Sequence, residues 1–182
     1  MNEINNLIKN NYDLFNIITY YFRWENQEKE NILHFSSFYN RIDICQALIS
    51  NNFDISQLTK KNNNALHYSS TNDNPIISML LVKNNLNYLQ KNIFGQLPIH
   101  FTANQGLAWY YRQLLKRKNI NIVDLIDYDG NNVAHSARIY KNLNIYNYWI
   151  KEIPELLNMK NKLGLKPNEI FFFKKYDFCL TN

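Results

Sequence analysis

Histidine is the side chain of this sequence best suited to acid–base or metal chemistry, and all four histidines occupy the same place in a repeated phrase. The phrases are Asn31-Ile32-Leu33-His34, Asn64-Ala65-Leu66-His67, Leu97-Pro98-Ile99-His100 and Asn132-Val133-Ala134-His135. Successive histidines are 33, 33 and 35 residues apart. An imidazole can ligate zinc or act as a general base near neutral pH. The regular spacing, however, indicates that each histidine belongs to a separate structural unit.

A shared metal site is incompatible with this spacing. Zinc requires ligands about 2 Å from one ion, whereas equivalent side chains on stacked helices lie about 8–10 Å apart. We therefore expect each imidazole to bond backbone groups of the adjoining turn and to tie one unit to the next. The sequence predicts no metal site, no cofactor and no catalytic residue.

Two other groups of residues could do chemistry. Cys45 could be a nucleophile, but it lies in an apolar helical stripe, where a free cysteine packs as a small hydrophobe. Asp124, Asp127 and Asp129 before Gly130 resemble part of a calcium loop. The remaining ligands of such a loop are missing, including a Glu twelve positions on, so we interpret this segment as a turn. Cys179 indicates no function.

The elements that position the histidines follow from the 33-residue period, which is typical of a solenoid of stacked helix pairs. Each histidine lies on a short first helix. A second helix follows, with apolar residues at helical spacing; in the first unit these are Ile42, Ile44, Cys45, Leu48 and Ile49. The two additional residues of the last interval fall within 122–126.

These phrases resemble the ankyrin repeat, in which a turn glycine precedes a Thr-Pro-Leu-His helix. Gly95 and Gly130 keep the turn glycine, and Pro98 keeps the motif proline. Residues 162–170 resemble a degenerate fifth unit, with Glu169 where the histidine would stand. The resemblance implies an all-α ankyrin-repeat solenoid of helix-turn-helix units with short finger loops. We expect one domain over 1–182, with an N-terminal capping helix in 1–25, about four repeats in 26–161 and a C-terminal cap in 162–182.

Composition limits the other classes of function. Hydrophobic residues make up 46% and aromatic residues 15% of the 182 residues, so a core can form. The net charge of +5 leaves open a nucleic-acid or anionic-surface binder, although no continuous basic stripe or nucleic-acid motif is present. The apolar stretch 14–22 is too short to span a bilayer. With no signal-peptide pattern at the N-terminus and two cysteines, we expect a cytoplasmic protein.

The resemblance also implies a binding surface, because targets of ankyrin proteins contact the finger tips and the exposed ends of the first helices. Among the residues at those positions here we expect partner contacts at Phe38, Tyr39, Lys60, Lys61, Phe94, Tyr128, Asp129 and Tyr140. Large apolar residues gathered on one face are typical of interaction sites. The alternative is that these aromatic side chains fold onto the stack as additional core.

The function predicted from these observations is a non-enzymatic protein-binding module whose partner is a protein. Alternatives are a nucleic-acid or anionic-surface binder and an accessory subunit of an enzyme. The degenerate repeats also resemble ankyrin proteins that intracellular bacteria or large DNA viruses direct at host cells. That association suggests an effector delivered to a host cytosol.

Overall fold

The computed structural model describes residues 25–104 and 107–170, which form a row of helix pairs. The first helices of the pairs are α1 (Ile32–Phe38), α3 (Ala65–Ser69), α5 (Pro98–Phe101) and α7 (Val133–Ile139). The second helices are α2 (Ile42–Ser50), α4 (Ile76–Lys83), α6 (Ala108–Arg117) and α8 (Leu143–Glu152). Short 3₁₀ turns occupy Ile122–Asp124, Pro154–Asn158 and Pro167–Glu169. Within the described residues there is no β-strand, and the predicted all-α class is confirmed.

Each histidine side chain takes part in capping the N-terminus of its first helix. The backbone N–H of Asn31 donates to His34 Nδ1 at 3.1 Å, and the equivalent distances at His67, His100 and His135 are 3.1, 3.0 and 3.2 Å. In three repeats the N-cap is asparagine, whose side-chain oxygen accepts from two amides of the first turn. This reciprocal capping satisfies donors that a short helix would otherwise leave unpaired. It explains why helices of only four to seven residues persist.

The second nitrogen of each imidazole reaches the following repeat. Because Nδ1 accepts, the proton is assigned to Nε2. His67 Nε2 lies 3.2 Å from the carbonyl oxygen of Gln96, and His135 Nε2 lies 2.9 Å from that of Leu165. His34 and His100 are oriented towards the backbone of Asn63 and Asn131 in the same way, although their Nε2 atoms lie outside strict hydrogen-bond geometry. The predicted tie between repeats is therefore present, with good geometry in two of the four cases.

Five hairpin turns precede the first helices, and we name them finger 1 to finger 5 (residues 26–30, 59–63, 92–96, 127–131 and 161–165). In each finger the first and last residues are joined by a backbone hydrogen bond of 2.9–3.0 Å. The fourth residue has a positive φ and is Lys29, Asn62, Gly95, Gly130 or Gly164. At Gly95 space also excludes a side chain, because a Cβ there would lie 2.5 Å from Tyr128 Cδ1.

The core forms two clusters of buried side chains between the helices. The N-terminal core cluster comprises Ile32, Leu33, Ile44, Cys45, Leu48, Phe53, Ala65, Leu66, Ile77, Leu81 and Leu86. The C-terminal core cluster comprises Leu97, Ile99, Ala103, Leu107, Ala108, Tyr111, Leu115, Ile122, Val133, Ala134, Ala137, Tyr146, Trp149 and Leu156. Tyr88 packs against both clusters and joins them. Each repeat thus buries its apolar side chains mainly against its neighbours, as stacking requires.

The degenerate fifth unit keeps the capping geometry without a histidine. Glu169 Oε2 accepts from the backbone N–H of Lys166 at 2.8 Å, the same contact that the histidine Nδ1 makes elsewhere. The additional residues before finger 4 form the 3₁₀ turn Ile122–Asp124, within the predicted interval. The predicted N-terminal capping helix, Cys179 and residues 171–182 of the C-terminal cap lie outside the described residues. The domain limits stay predictions.

Candidate interaction surface

The fingers join side by side into one continuous surface. In fingers 2 to 5, the second residue donates its backbone N–H to the carbonyl of the third residue of the preceding finger. These bonds are Lys60 to Glu28 at 2.8 Å, Ile93 to Lys61 at 3.0 Å, Tyr128 to Phe94 at 2.9 Å and Lys162 to Asp129 at 2.8 Å. We call these second and third residues, Gln27, Glu28, Lys60, Lys61, Ile93, Phe94, Tyr128, Asp129, Lys162 and Leu163, the fingertip surface. Direct backbone bonding fixes the spacing of neighbouring tips, so the tips form one connected row.

Five of the predicted contact residues lie on this surface. Lys60, Phe94, Tyr128 and Asp129 are exposed, and Lys61 is half-buried. Phe94 is 39% and Tyr128 54% exposed, values that are large for aromatic side chains. The Tyr128 ring lies against Gly95. Lys91 Nζ lies 5.6 Å from the centre of the same ring, within cation–π range.

The other three predicted contact residues are half-buried at the ends of the first helices. Tyr39 packs against the N-terminal core cluster and Tyr140 against the C-terminal core cluster. The Phe38 ring lies edge-on to that of Tyr39, with centroids 5.1 Å apart. Both alternatives for the aromatic residues therefore occur: those at the helix ends partly join the stack, whereas those on the fingers face solvent.

The predicted set omits two exposed apolar residues of the fingertip surface. Ile93 is 48% exposed beside Phe94, and Leu163 is 68% exposed on finger 5. The sequence signal for Leu163 is its spacing of 34 residues from Asp129, at the same finger position. That signal is weak because the fifth unit has lost its histidine.

The histidines are unsuited to acid–base chemistry because both ring nitrogens face backbone groups in the interior. Burial lowers the pKa of His34 to about 4 and that of His67 to about 3. Burial also lowers the pKa of His100 and of His135. Desolvation disfavours the charged imidazolium, so all four rings are neutral at pH 7.

Cys45 and Asp127 have structural roles. Burial raises the pKa of the Cys45 thiol to about 11, and its sulfur lies 3.2 Å from Ser36 Oγ. The buried Asp127 carboxylate accepts from the backbone of Asp129 and Asn131 and from the Asn131 side chain, at 2.8–3.0 Å. These bonds shape finger 4. In residues 25–104 and 107–170, no group of three or more His, Cys, Asp or Glu side chains could hold a metal ion.

One groove of about 620 Å³ is formed by residues of α6, of α8 and of the segments that follow them, and no finger residue lines it. It is lined by Arg112, Ile120, Asn121, Ile122, Val123, Asp124, Glu152, Ile153, Glu155 and Met159. Its lining offers no histidine, cysteine or hydroxyl nucleophile. No arrangement there indicates catalysis.

Helix pairs at a 33-residue period, joined finger to finger and capped by buried histidines, define a solenoid repeat protein. The family model for ankyrin repeats (three copies) matches residues 4–92. The chain is an ankyrin-repeat protein. The geometry of the matched repeats continues through fingers 3 to 5. Ankyrin repeats are in general protein–protein interaction modules and are typically non-enzymatic.

The search of curated proteins returned no match. Across the described part of the chain, no helix combines the length and apolar character needed to cross a membrane.

Proposed function

We propose that this chain binds a partner protein through the fingertip surface and the adjoining ends of the first helices. The observation that carries the proposal is the exposure of Phe94 and Tyr128 on neighbouring fingers. Aromatic side chains are common anchors of interfaces because they bury a large area at small entropic cost. The fingers are preformed by their own hydrogen bonds, so binding orders little additional backbone.

Phe38, Tyr39 and Tyr140 extend the proposed contact from the fingers to the helix ends, and Lys60, Lys61 and Asp129 determine its charge preference. We further propose that the module acts in a cytosol and is not an enzyme. The unpaired, buried Cys45 thiol supports a reducing environment. An effector role in a host cell is a proposal that rests on the resemblance alone.

A photo-crosslinking experiment tests the proposal. Benzoyl-phenylalanine replaces Phe94 in one protein and Met79 in a matched control. Met79 lies on the second helix α4 and is 52% exposed against 39% for Phe94, so the control presents an apolar site that is at least as accessible. After incubation with cell lysate and irradiation, we expect discrete protein adducts at position 94 and none at position 79. Equal adducts at both positions, or none at position 94, would overturn the proposed surface.

A variant experiment checks the same surface by loss of binding. Lys60→Glu, Lys61→Glu, Phe94→Ala and Tyr128→Ala are combined and compared with Met79→Ala and Leu143→Ala, whose side chains are exposed on the second helices. We expect the first protein to lose partner capture and the second to retain it. Circular dichroism verifies that both proteins are folded.

A further inference from the structure

We propose that fingers 3 to 5 bind an extended segment of the partner in which apolar side chains are flanked on both sides by acidic ones. This inference rests on the proposed function and adds the chemistry of the bound segment. It follows from an apolar centre and a lysine border on the fingertip surface.

The apolar centre consists of Ile93, Phe94, Tyr128 and Leu163, which are 39–68% exposed. Backbone hydrogen bonds join finger 4 to finger 3 and finger 5 to finger 4, at 2.9 and 2.8 Å. The Tyr128 ring extends across Gly95 towards finger 3, so Tyr128 and Phe94 belong to one contiguous patch. An exposed patch of this composition is typical of an interaction site.

Lysines border this centre at both ends of the row. Lys60 and Lys61 lie on finger 2, and Lys160 and Lys162 lie at finger 5, whereas Lys91 Nζ lies over the Tyr128 ring within the centre. The two ion pairs in the described part of the chain are Arg41–Asp43 and Arg112–Glu152, so no carboxylate pairs with any of these five lysines there. A partner that carries Asp or Glu beside its apolar residues would complement them.

The length of the row determines the size of the segment. Neighbouring repeats are about 10 Å apart, as packed helices are, so fingers 3 to 5 span roughly 20 Å. An extended chain rises about 3.3 Å per residue. Roughly six residues therefore cover the apolar centre, and acidic residues just outside this window reach the lysines.

The surface fits a peptide better than a nucleic acid. Single-stranded nucleic acid binds on aromatic platforms in basic grooves, whereas Ile93 and Leu163 offer no ring on which a base could stack. The exposed carboxylate of Asp129 lies within the patch and would repel a phosphate backbone.

Selection from a displayed library of random twelve-residue peptides on the immobilised full chain tests the inference. We expect enriched peptides to carry two or more large apolar residues within about six positions, with Asp or Glu on both sides. A synthetic enriched peptide is then titrated by fluorescence anisotropy at 50 and 500 mM NaCl. A single-stranded twenty-nucleotide DNA of mixed sequence serves as the competing probe.

Two variants separate the charge border from the apolar centre. Lys60→Glu with Lys162→Glu should weaken peptide binding about tenfold at 50 mM NaCl and less at 500 mM, because salt screens exposed charges. Ile93→Ala with Leu163→Ala should weaken it about 30-fold at both salt concentrations, as the loss of an apolar anchor does. Lys116→Glu with Lys118→Glu, at the exposed end of α6, is the matched charge control and should bind normally.

Several outcomes would overturn the inference: no enriched peptide, enriched peptides without acidic flanks, equal binding by Lys60→Glu/Lys162→Glu and its control, or tighter binding of the DNA. The crosslinked protein from position 94 separates this failure from that of the proposed function. If its mapped segment is basic or wholly polar, the inference fails while the fingertip surface stands as a binding site. If position 94 yields no adduct, the proposed function fails as well.

Discussion

Acidification to pH 5.5 should destabilise this protein through its histidines. In the folded chain His34 and His67 are neutral, with pKa values of about 4 and about 3, against 6.5 for the free side chain. Because the folded pKa is the lower one, the stabilisation is complete above pH 6.5 and is lost as pH falls below it. Unfolding below pH 6.5 therefore takes up protons, and lower pH favours the unfolded state.

The magnitude follows from proton linkage. Between pH 7.0 and 5.5, a histidine of pKa 6.5 in the unfolded chain becomes almost fully protonated, whereas the buried imidazole stays neutral. Each such histidine costs about 1 kcal/mol over this interval, so His34 and His67 together cost about 2–3 kcal/mol. Burial lowers the pKa of His100 and His135 as well, and both act in the same direction.

The assay is urea unfolding of the wild type and of His34→Gln/His67→Gln at pH 7.0 and 5.5. Glutamine at this helix position can still accept from the N-cap amide, as in a capping box, but does not titrate. We expect the variant to be less stable at both pH values and to lose about 2–3 kcal/mol less between them than the wild type. Carboxylates titrate in both proteins, so their contribution cancels in the comparison.

Equal losses in the two proteins would refute the assignment of neutral, buried imidazoles. The comparison requires the urea dependence (m value) to be the same at both pH values, because repeat proteins can unfold in stages.

Two further predictions concern the fingers and the caps. Gly95→Ala should lower the free energy of unfolding by about 1 kcal/mol or more beyond the effect of Gly164→Ala, measured by urea unfolding or thermal unfolding. Both positions need a positive φ, which costs about 1–2 kcal/mol with a side chain. Only at Gly95 does the new Cβ meet Tyr128, because nothing lies within 4 Å of a Cβ at Gly164. Equal costs would show that Tyr128 does not pack on finger 3. Asn64→Ala should cost about 1–2 kcal/mol, because it removes the N-cap of α3 and leaves the Asn87 carbonyl without its 2.8 Å donor; an unchanged urea midpoint would contradict this.

The fingers show which turn residues the repeat pattern predicts and which it does not. Gly95 and Gly130 were recognisable as turn residues, and both have positive φ. Lys29 and Asn62 take the same conformation at the equivalent positions of fingers 1 and 2. Lysine gives no local signal for a left-handed turn, because the conformation there is imposed by the neighbouring hydrogen bonds and not by the residue's own preference.

The proposed site was less accessible to sequence reasoning than the fold. The resemblance to the ankyrin repeat placed Phe94, Tyr128 and Tyr140 on one face, but the exposure of each depends on what packs beside it. Tyr140 lies against the C-terminal core cluster, whereas Tyr128 lies across Gly95 and stays exposed. Leu163 is the most exposed large apolar residue of the described chain and belongs to the most degenerate unit, where the repeat pattern is weakest.

The sequence by itself determined the repeat, the helix starts and the structural role of the histidines. These features are local: a side chain three residues into a helix caps that helix whatever surrounds it. Only the tertiary structure decided which aromatic side chains face solvent and which tips adjoin. Exposure and contact between fingers depend on atoms that are 30 or more residues apart in the chain, and stacking alone brings those atoms together.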